Sequence, residues 1–293
     1  MNITLSSIFF ELPPLFEKLR SRFGSSYYYI DIPFSEDEKT VAYVARQLED
    51  MVDFLEEHTG QRLSMKKLTK VIRLSNEARY YGLKIRELRK RNRPLMLGRG
   101  GVQIMGLYTL LGTREGLDIL KDLYFTLKDR AARGFKPLQD SEFRLYWIHQ
   151  FPPYAIKILD YLERKLKAAI VVEEVMDVPS MDLDEEKPFI SLARKILSHP
   201  AHGTVANRVN LAIENAIEYQ VDGVINYSPI GCRLGRCGVP FLKERFKQID
   251  IPFIELISDS IDFRNYSEAQ LQTRLEAFVE IMRNKRTLSA AIG

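Results

Sequence analysis

The sequence predicts an α/β protein of two domains, the second of them a parallel sheet with helices on both faces. Two observations lead to this prediction. The chain has 293 residues, which is enough for two cores of ordinary size. After about residue 139, short apolar strand segments alternate with helical ones, as in Rossmann- and flavodoxin-like sheets. We therefore predict a helix-rich, incomplete α/β domain at residues 1–138 and a Rossmann- or flavodoxin-like domain at residues 139–293.

The first domain is predicted to be mainly helical. Pro13–Phe23 is a helix because proline stands at its start and Gly24 follows its end. Aromatic and β-branched residues at Tyr27–Ile32 favour a strand. Ser35 and Glu38 form a capping box at the start of the next helix. Helical spacing of apolar residues and cap residues predict the other helices as Ser35–His58, Ser64–Arg91, Val102–Leu111 and Thr113–Arg133.

The second domain follows a linker candidate at Gly134–Ser141. Continuous or β-branched apolar runs mark its strands, and amphipathic spacing marks the helices between them. The predicted strands are Arg144–His149, Ala168–Val175, Gly223–Tyr227 and Ile251–Ile257. The predicted helices are Tyr154–Lys165, Pro188–Ser198, Val205–Gln220, Val239–Lys247 and Ser267–Arg283. Because helices separate the strands, the strands should run parallel.

Composition narrows the class of protein. No apolar run approaches the roughly 20 residues needed to cross a bilayer, and the first residues lack the features of a secretory signal. Two cysteines cannot form a disulfide framework. The formal net charge is +4, but Lys and Arg are interspersed with Asp and Glu, unlike the basic stripe of a nucleic-acid-binding protein. We expect a cytoplasmic protein that binds neither membranes nor nucleic acid.

The strongest candidate site is the turn that follows the strand Gly223–Tyr227 and contains both cysteines, Cys232 and Cys237. Ligands of open α/β sheets bind at the carboxyl ends of the strands. Arg233 and Arg236 favour a thiolate at Cys232, which could ligate iron or act as a nucleophile. The alternative is that each cysteine is a small buried hydrophobe. The spacing alone is not that of a zinc site, which needs four ligands.

Other candidates are weaker. Glu173 and Glu174 end a strand at the same sheet edge, where a carboxylate could act as a general base or contact a cofactor, although a helix cap or a surface ion pair is the commoner role. The hydroxyls of Tyr227 and Ser228 could donate to a ligand there. His149 does not complete a zinc site, and His199 and His202 form an H-x-x-H in a loop, which is more often polar loop surface than a ligand pair. The sequence assigns no catalytic and no substrate-binding residue.

Two further features could bind an anion. Arg86, Arg89, Lys90, Arg91 and Arg93 crowd at a helix end, which is either a solvated terminus or a site for a phosphate-bearing ligand or an acidic partner. Gly98–Gly101 opens a helix, but its spacing does not match a phosphate-binding loop.

Two motifs give the sequence a family resemblance. The closing segment contains Asp262, the run R-N-Y-S-E-A-Q at Arg264–Gln270 and the run T-R-L-E-A-F at Thr273–Phe278. The cysteine turn reads G-C-R-L-G-R-C-G at Gly231–Gly238 and precedes P-F-L-K-E at Pro240–Glu244. Both resemble segments of the 2-hydroxyacyl-CoA dehydratase and benzoyl-CoA reductase family, and the similarity extends over nearly the whole chain.

The resemblance implies a subunit of two α/β domains that pairs with a related second subunit. It implies an iron–sulfur cluster, of the 4Fe–4S type, held by cysteine thiolates, with Cys232 as a ligand. Cys237 stands near Cys232 at a position where the resemblance implies no ligand, so it ranks lower as a cofactor contact. It also implies an ATP-dependent activator protein that supplies electrons, and a CoA thioester as substrate, dehydrated or reduced by a radical reaction. A related branch carries a double-cubane cluster and reduces small molecules.

The sequence departs from the family at its first residues. Members carry further cluster cysteines, one of them shortly before a helix that resembles Leu15–Phe23, whereas Phe9 and Phe10 stand in that neighbourhood here. The missing ligands would then come from another polypeptide or be lost. Two functions remain open: a cluster-bearing subunit of a dehydratase or reductase, and a structural or regulatory subunit in which Cys232 is a free thiol.

Overall fold

The structure is a computed structural model that describes residues 2–5, 12–91, 94–138, 140–151, 156–174, 181–199, 202 and 204–292. The chain divides into two compact units. The first unit comprises Met1–Tyr80, Leu111–Leu117 and Val178–Arg208, and the second comprises Tyr81–Leu110, Asp118–Asp177 and Val209–Gly293. The domain boundary predicted between residues 138 and 139 stays a prediction.

In the described part of the chain, one or more helices separate each strand from the next. The strands are β1 (Asn2–Leu5), β2 (Tyr27–Ile30), β3 (Phe143–Ile148), β4 (Ala168–Glu173), β5 (Gly223–Pro229) and β6 (Phe253–Ser258). The helices are α1 (Leu12–Phe23), α2 (Glu38–Thr59), α3 (Met65–Arg89), α4 (Gly98–Leu107), α5 (Arg114–Ala132), α6 (Lys157–Asp160), α7 (Pro188–Leu197), α8 (Val205–Glu218), α9 (Arg233–Arg236), α10 (Val239–Gln248) and α11 (Glu268–Ile292). In the described part of the chain, none of these helices has both the length and the apolar composition that crossing a bilayer requires.

The first unit contains a small parallel sheet in which β1 pairs with β2. Its core joins the apolar face of α2 to α7 through Val44, Ala45, Leu48, Ala193 and Leu197. Asp37 caps α2 by accepting a hydrogen bond from the Thr40 N–H at 2.8 Å. The capping box predicted for Ser35 was therefore wrong: the Ser35 hydroxyl instead donates to the Asp37 carboxylate, which holds the cap in place.

The second unit contains a parallel four-stranded sheet in the order β4-β3-β5-β6. Every residue of β4 and β5 is buried, which is the pattern of strands covered on both faces. One face of the sheet packs against α6 and α11, and the other packs against α8 and α10. The predicted α/β class, with helices flanking a parallel sheet, is confirmed.

Most predicted helices and strands are present with ends shifted by a few residues. Gly98–Gly101 lies within α4 rather than before it. The predicted helix at Tyr154–Lys165 is α6 followed by a π turn, Tyr161–Lys165, and its first residues lie outside the described ones. The sequence analysis missed β1 and the single turn α9 inside the cysteine turn. It also ended α11 several residues early.

Candidate functional site

The cysteine turn lies at the carboxyl end of β5, as predicted. β5 ends at Pro229, and Gly231 adopts a φ of 82°, a conformation that favours glycine. Cys232 then caps α9, and its Sγ accepts a hydrogen bond from the Gly235 N–H at 3.4 Å. Cys232 is half-buried. The turn therefore presents one sulfur at the edge of the sheet and supplies it with a backbone donor.

His149 lies against that sulfur. It follows β3, the neighbour of β5, and its Nε2 is 3.7 Å from the Cys232 Sγ. Its side chain is buried and its backbone φ is 71°, an uncommon conformation for a residue other than glycine. The Glu174 carboxylate, at the end of β4, accepts a hydrogen bond from the His149 N–H at 3.0 Å. The ends of three adjacent strands thus meet around Cys232.

Gly235 makes this contact sterically possible. A Cβ atom at residue 235 would stand 3.1 Å from Cε1 and 3.2 Å from Nε2 of the His149 ring. The Gly235 carbonyl is fixed from the strand side, because it accepts hydrogen bonds from the side chains of Asn226 and Ser228 at 3.2 and 3.3 Å. Both side chains are fully buried. The position of the cysteine turn is therefore set by polar groups of β5.

An open cavity of about 520 Å³ adjoins the turn. Its lining includes Cys232, Arg233, Arg236, Cys237 and Glu255. Arg236 and Glu255 form a loose ion pair with an N–O distance of 3.9 Å. Cys237 is exposed, and its Sγ donates to the Arg233 carbonyl at 2.6 Å within α9. Cys232 and Cys237 therefore share one cavity but differ in environment.

The donor set can supply one corner of a metal cluster. A four-iron cluster usually takes four ligands, commonly cysteines, and the whole chain contains two cysteines. Across the described ranges, no group of three or more His, Cys, Asp or Glu side chains is gathered as a metal site would require. Phe9 and Phe10, which stand in the neighbourhood where the resemblance implies a cluster cysteine, lie outside the described residues. Cys232 could fill one ligand position of such a cluster.

The other residues predicted at this edge have structural partners. Glu173 forms a buried, two-point ion pair with Arg89, with N–O distances of 2.6 and 2.7 Å. The Tyr227 hydroxyl accepts from Ser260 at 3.2 Å and donates to the Asp259 carbonyl at 3.4 Å. These two residues, like Ser228, stabilise the sheet edge. The sequence predicts a helix cap or a surface ion pair as the commoner role of Glu173; Glu173 does form an ion pair, but the pair is buried.

The predicted basic cluster is engaged within the second unit. Arg89 is buried; burial opposes its charge, but the Glu173 carboxylate outweighs burial and raises the pKa of Arg89. Arg86 donates to the Asn215 side chain at 3.2 Å, and Lys90 pairs with Glu218 at 3.0 Å. Arg93 lies outside the described residues. Arg89 and Lys90 therefore pair with carboxylates of the same unit, whereas Arg86 bonds to a neutral amide.

The glycine run of α4 meets carboxylates of the protein itself. The Gly98 N–H donates to Glu163 Oε1 at 2.8 Å. A side chain at Gly101 would overlap the Glu173 carboxylate, so glycine lets α4 approach β4 closely. Glu163 is buried, and desolvation raises its pKa to about 7, against the opposing effect of the hydrogen bonds from Gly98 and Ile170. The start of α4 is therefore occupied by an internal carboxylate.

His199 and His202 lie in the first unit, with ring centroids 5.6 Å apart. His202 is buried, and desolvation together with the neighbouring His199 lowers its pKa to about 4. The sequence predicts polar loop surface for these two histidines, and for His202 this prediction was wrong: its imidazole is buried and neutral at neutral pH.

The motif residues after β6 have structural roles. Asp262 holds Arg264 through hydrogen bonds of 2.5 to 3.0 Å, and Arg264 lowers the pKa of the Asp262 carboxyl. Arg274 donates to the Glu255 carbonyl at 2.7 Å and so ties α11 to β6. Leu275 and Phe278 are core residues. The closing motif therefore maintains the packing of α11 on the sheet.

His149 is the residue that the sequence analysis undervalued. Its position in the sequence was the one available indication. His149 ends the predicted strand Arg144–His149, which reaches the same sheet edge as the cysteine turn. The sequence does not show that β3 lies next to β5, and without that order the imidazole could not be assigned to Cys232.

Comparison with known proteins finds a family that matches most of the chain. The family described as "2-hydroxyglutaryl-CoA dehydratase, D-component" matches residues 11–282. The alpha subunit of (R)-phenyllactyl-CoA dehydratase from Clostridium sporogenes is 23% identical over 272 residues, covering 88% of this chain and 64% of that protein. A benzoyl-CoA reductase subunit from Thauera aromatica is 24% identical, over 93% of this chain and 68% of that protein.

A third relative extends the same pattern. The alpha subunit of lactoyl-CoA dehydratase from Anaerotignum propionicum is 23% identical, over 96% of this chain and 68% of that protein. The chain thus spans 64 to 68% of the length of these relatives. Because the family match covers nearly all of it, this chain belongs to the family of the 2-hydroxyglutaryl-CoA dehydratase D-component.

Proposed function

We propose that this protein is a subunit of an enzyme that dehydrates or reduces a CoA thioester, and that Cys232 contributes one ligand to an iron–sulfur cluster. The observation that carries the proposal is the Cys232 sulfur, placed at the mouth of the cavity and in contact with the Gly235 N–H and the His149 ring. Family membership supports the reaction class, because the matched relatives are named as dehydratase and reductase subunits.

Each residue of this edge has a role in the proposed site. Cys232 ligates iron, Gly235 and His149 hold the sulfur, and Glu174 holds the His149 backbone. Arg233 and Arg236 give the cavity a positive lining that suits an anionic cluster or a phosphate-bearing substrate. When bound, the cluster supplies single electrons to the thioester. The electrons come from an ATP-dependent activator protein, and the remaining ligands come from a related second subunit or a short cysteine-containing chain.

A second function is favoured by one observation. The chain has two cysteines, and the described residues gather no set of three ligating side chains. This composition suits a structural or regulatory subunit of the same complex that holds no cluster of its own, in which Cys232 is a free thiol.

Replacing the two cysteines separately tests the proposed function. The complex is purified without oxygen after co-expression with its neighbouring genes, and its iron, its sulfide and its visible absorption are measured. Cys232→Ser should remove nearly all of the absorption and lower the iron content, because a hydroxyl is a poor ligand for iron–sulfur clusters. Cys237→Ser is the matched control in the same cavity, and it should retain most of both signals because its sulfur bonds only within α9.

Two results would contradict this proposal. A colourless wild-type complex with substoichiometric iron would rule out the cluster-bearing function. Equal losses of absorption and iron from the two serine variants would contradict the ranking of Cys232 above Cys237 as the ligand.

A further inference from the structure

The Cys232 sulfur has two neighbours that can donate a hydrogen bond. The Gly235 N–H lies at 3.4 Å and the His149 Nε2 lies at 3.7 Å. A thiol could either donate to the imidazole or accept from it. A metal-bound thiolate carries no proton, so in a cluster-bearing protein the only hydrogen available for the second contact is the one on Nε2.

We propose that His149 is a positioning residue that donates its Nε2–H to the Cys232 sulfur and thereby raises the reduction potential of the cluster bound there. The inference rests on the proposed function, because it needs a cluster on Cys232. It adds a tuning group in the second layer around the metal, where hydrogen bonds to ligating sulfurs help to set the potential.

The local structure holds the imidazole in place from several directions. The backbone of His149 is kept at a φ of 71°, and its N–H is bound by the Glu174 carboxylate at 3.0 Å. The side chain is buried to 4% exposure, so its ring cannot turn freely into solvent. Gly235 leaves room for the ring, since a Cβ there would press on Cε1 and Nε2. A residue that only filled space would not need this combination of backbone conformation and glycine.

The electrostatic consequence has a definite sign. An N–H dipole that points at the sulfur stabilises the form of the cluster with more negative charge, which is the reduced form. Removal of the donor should therefore lower the midpoint potential. Gly235 supplies the first such donor from the backbone, and His149 supplies the second from a side chain.

The test is a redox titration of the purified, cluster-loaded complex, followed by visible absorption, with iron content as a second measurement. His149→Ala should load iron as the wild type does and shift the ratio of reduced to oxidised cluster about tenfold toward the oxidised form at a fixed potential, or about 59 mV downward for one electron. His149→Gln keeps an N–H donor of similar reach and should move the potential back toward the wild-type value.

A second variant keeps the test decisive if His149→Ala fails to fold. Gly235→Ala retains the imidazole but places a methyl group 3.1–3.2 Å from the ring, which should push Nε2 away from the sulfur and lower the potential.

The outcomes separate this inference from the proposed function. An iron-loaded His149→Ala complex with the wild-type potential would overturn the tuning role and leave the cluster assignment intact. Loss of iron in both His149 variants would overturn it as well, because His149 would then be a ligand or a purely structural residue. A wild-type complex without iron would refute the proposed function and this inference together.

Discussion

Replacing Arg89 by methionine should lower the free energy of unfolding of the second unit by about 3–5 kcal/mol, because the change leaves the Glu173 carboxylate buried without its partner. The side chain of Glu173 is fully buried and that of Arg89 is 4% exposed. The two groups share two short hydrogen bonds, so little water can replace the lost guanidinium. The cost is that of an uncompensated buried charge rather than the value of the pair itself.

Urea unfolding measures this loss. Trp147 is the single tryptophan of the chain, and it is buried in β3, so its fluorescence reports on the second unit. The double variant Arg89→Met with Glu173→Leu removes both charges and should recover most of the lost stability, because a well-packed apolar pair is often as stable as a buried ion pair.

An exposed ion pair of the same unit provides the control. Arg264 pairs with Asp262 in solvent, with the Arg264 side chain 77% exposed, so Arg264→Met should change the stability very little. If Arg89→Met changes the free energy of unfolding as little as Arg264→Met does, the Arg89–Glu173 pair is accessible to water. If the double variant is no more stable than Arg89→Met, the loss comes from packing and not from the unpaired carboxylate.

The sheet of the second unit could be predicted because its signals are local. The segment that became β4 is a continuous apolar run, and such a run identifies a strand that is buried on both faces without any knowledge of its neighbours. Caps are local as well, but they can compete. Ser35 and Asp37 both suit the start of α2, and the hydroxyl of one bonds to the carboxylate of the other. Only the structure shows that the Asp37 carboxylate accepts the hydrogen bond from the Thr40 N–H.

The pairings of the site could not be predicted because they depend on the order of the strands. Glu173 and Arg89 are 84 residues apart, and a basic helix end gives no sign of which carboxylate it will meet. His149 and Cys232 are 83 residues apart and meet only because β3 lies beside β5. The position of Cys232 at a strand end was predictable, since the carboxyl ends of parallel strands form one edge. The residues that contact Cys232 were not predictable.

The second large effect concerns Glu163, a buried carboxyl that bonds to the start of α4. Its Oε1 accepts hydrogen bonds from the Gly98 N–H at 2.8 Å and from the Ile170 N–H at 3.3 Å, whereas its Oε2 has no hydrogen-bond partner in the described structure. Burial is the main cause that raises its pKa from an ordinary 4.5 to about 7, and the nearby Glu173 and Arg89 act in opposite directions. Ionisation of Glu163 therefore destabilises the folded state.

The sign of the pH dependence follows from the raised pKa. Below about pH 4.5 the carboxyl is protonated in both the folded and the unfolded chain and costs nothing. As the pH rises toward 7, the Glu163 carboxyl ionises first in the unfolded chain, so the free energy of unfolding falls. The loss is roughly 1.4 kcal/mol for each unit between the pKa of the unfolded chain and that of the folded protein, and about 3 kcal/mol in total. Glu163→Gln removes this loss and keeps an oxygen for the Gly98 N–H. It should be close to the wild type at pH 4.5 and more stable than it by about 3 kcal/mol at pH 8.

Urea unfolding followed by Trp147 fluorescence at a series of pH values tests this difference, since the titrating groups that do not interact with Glu163 contribute equally to both proteins. Glu163→Leu separates the charge from the hydrogen bond. Glu163→Leu should be less stable than Glu163→Gln by about 1–3 kcal/mol, because the buried Gly98 N–H loses its acceptor. This difference in the free energy of unfolding should not change with pH, because both variants lack the carboxyl. A difference between wild type and Glu163→Gln that did not grow between pH 4.5 and 8 would mean that Glu163 is ionised without cost in the folded protein, and that α4 is held by a solvated carboxylate.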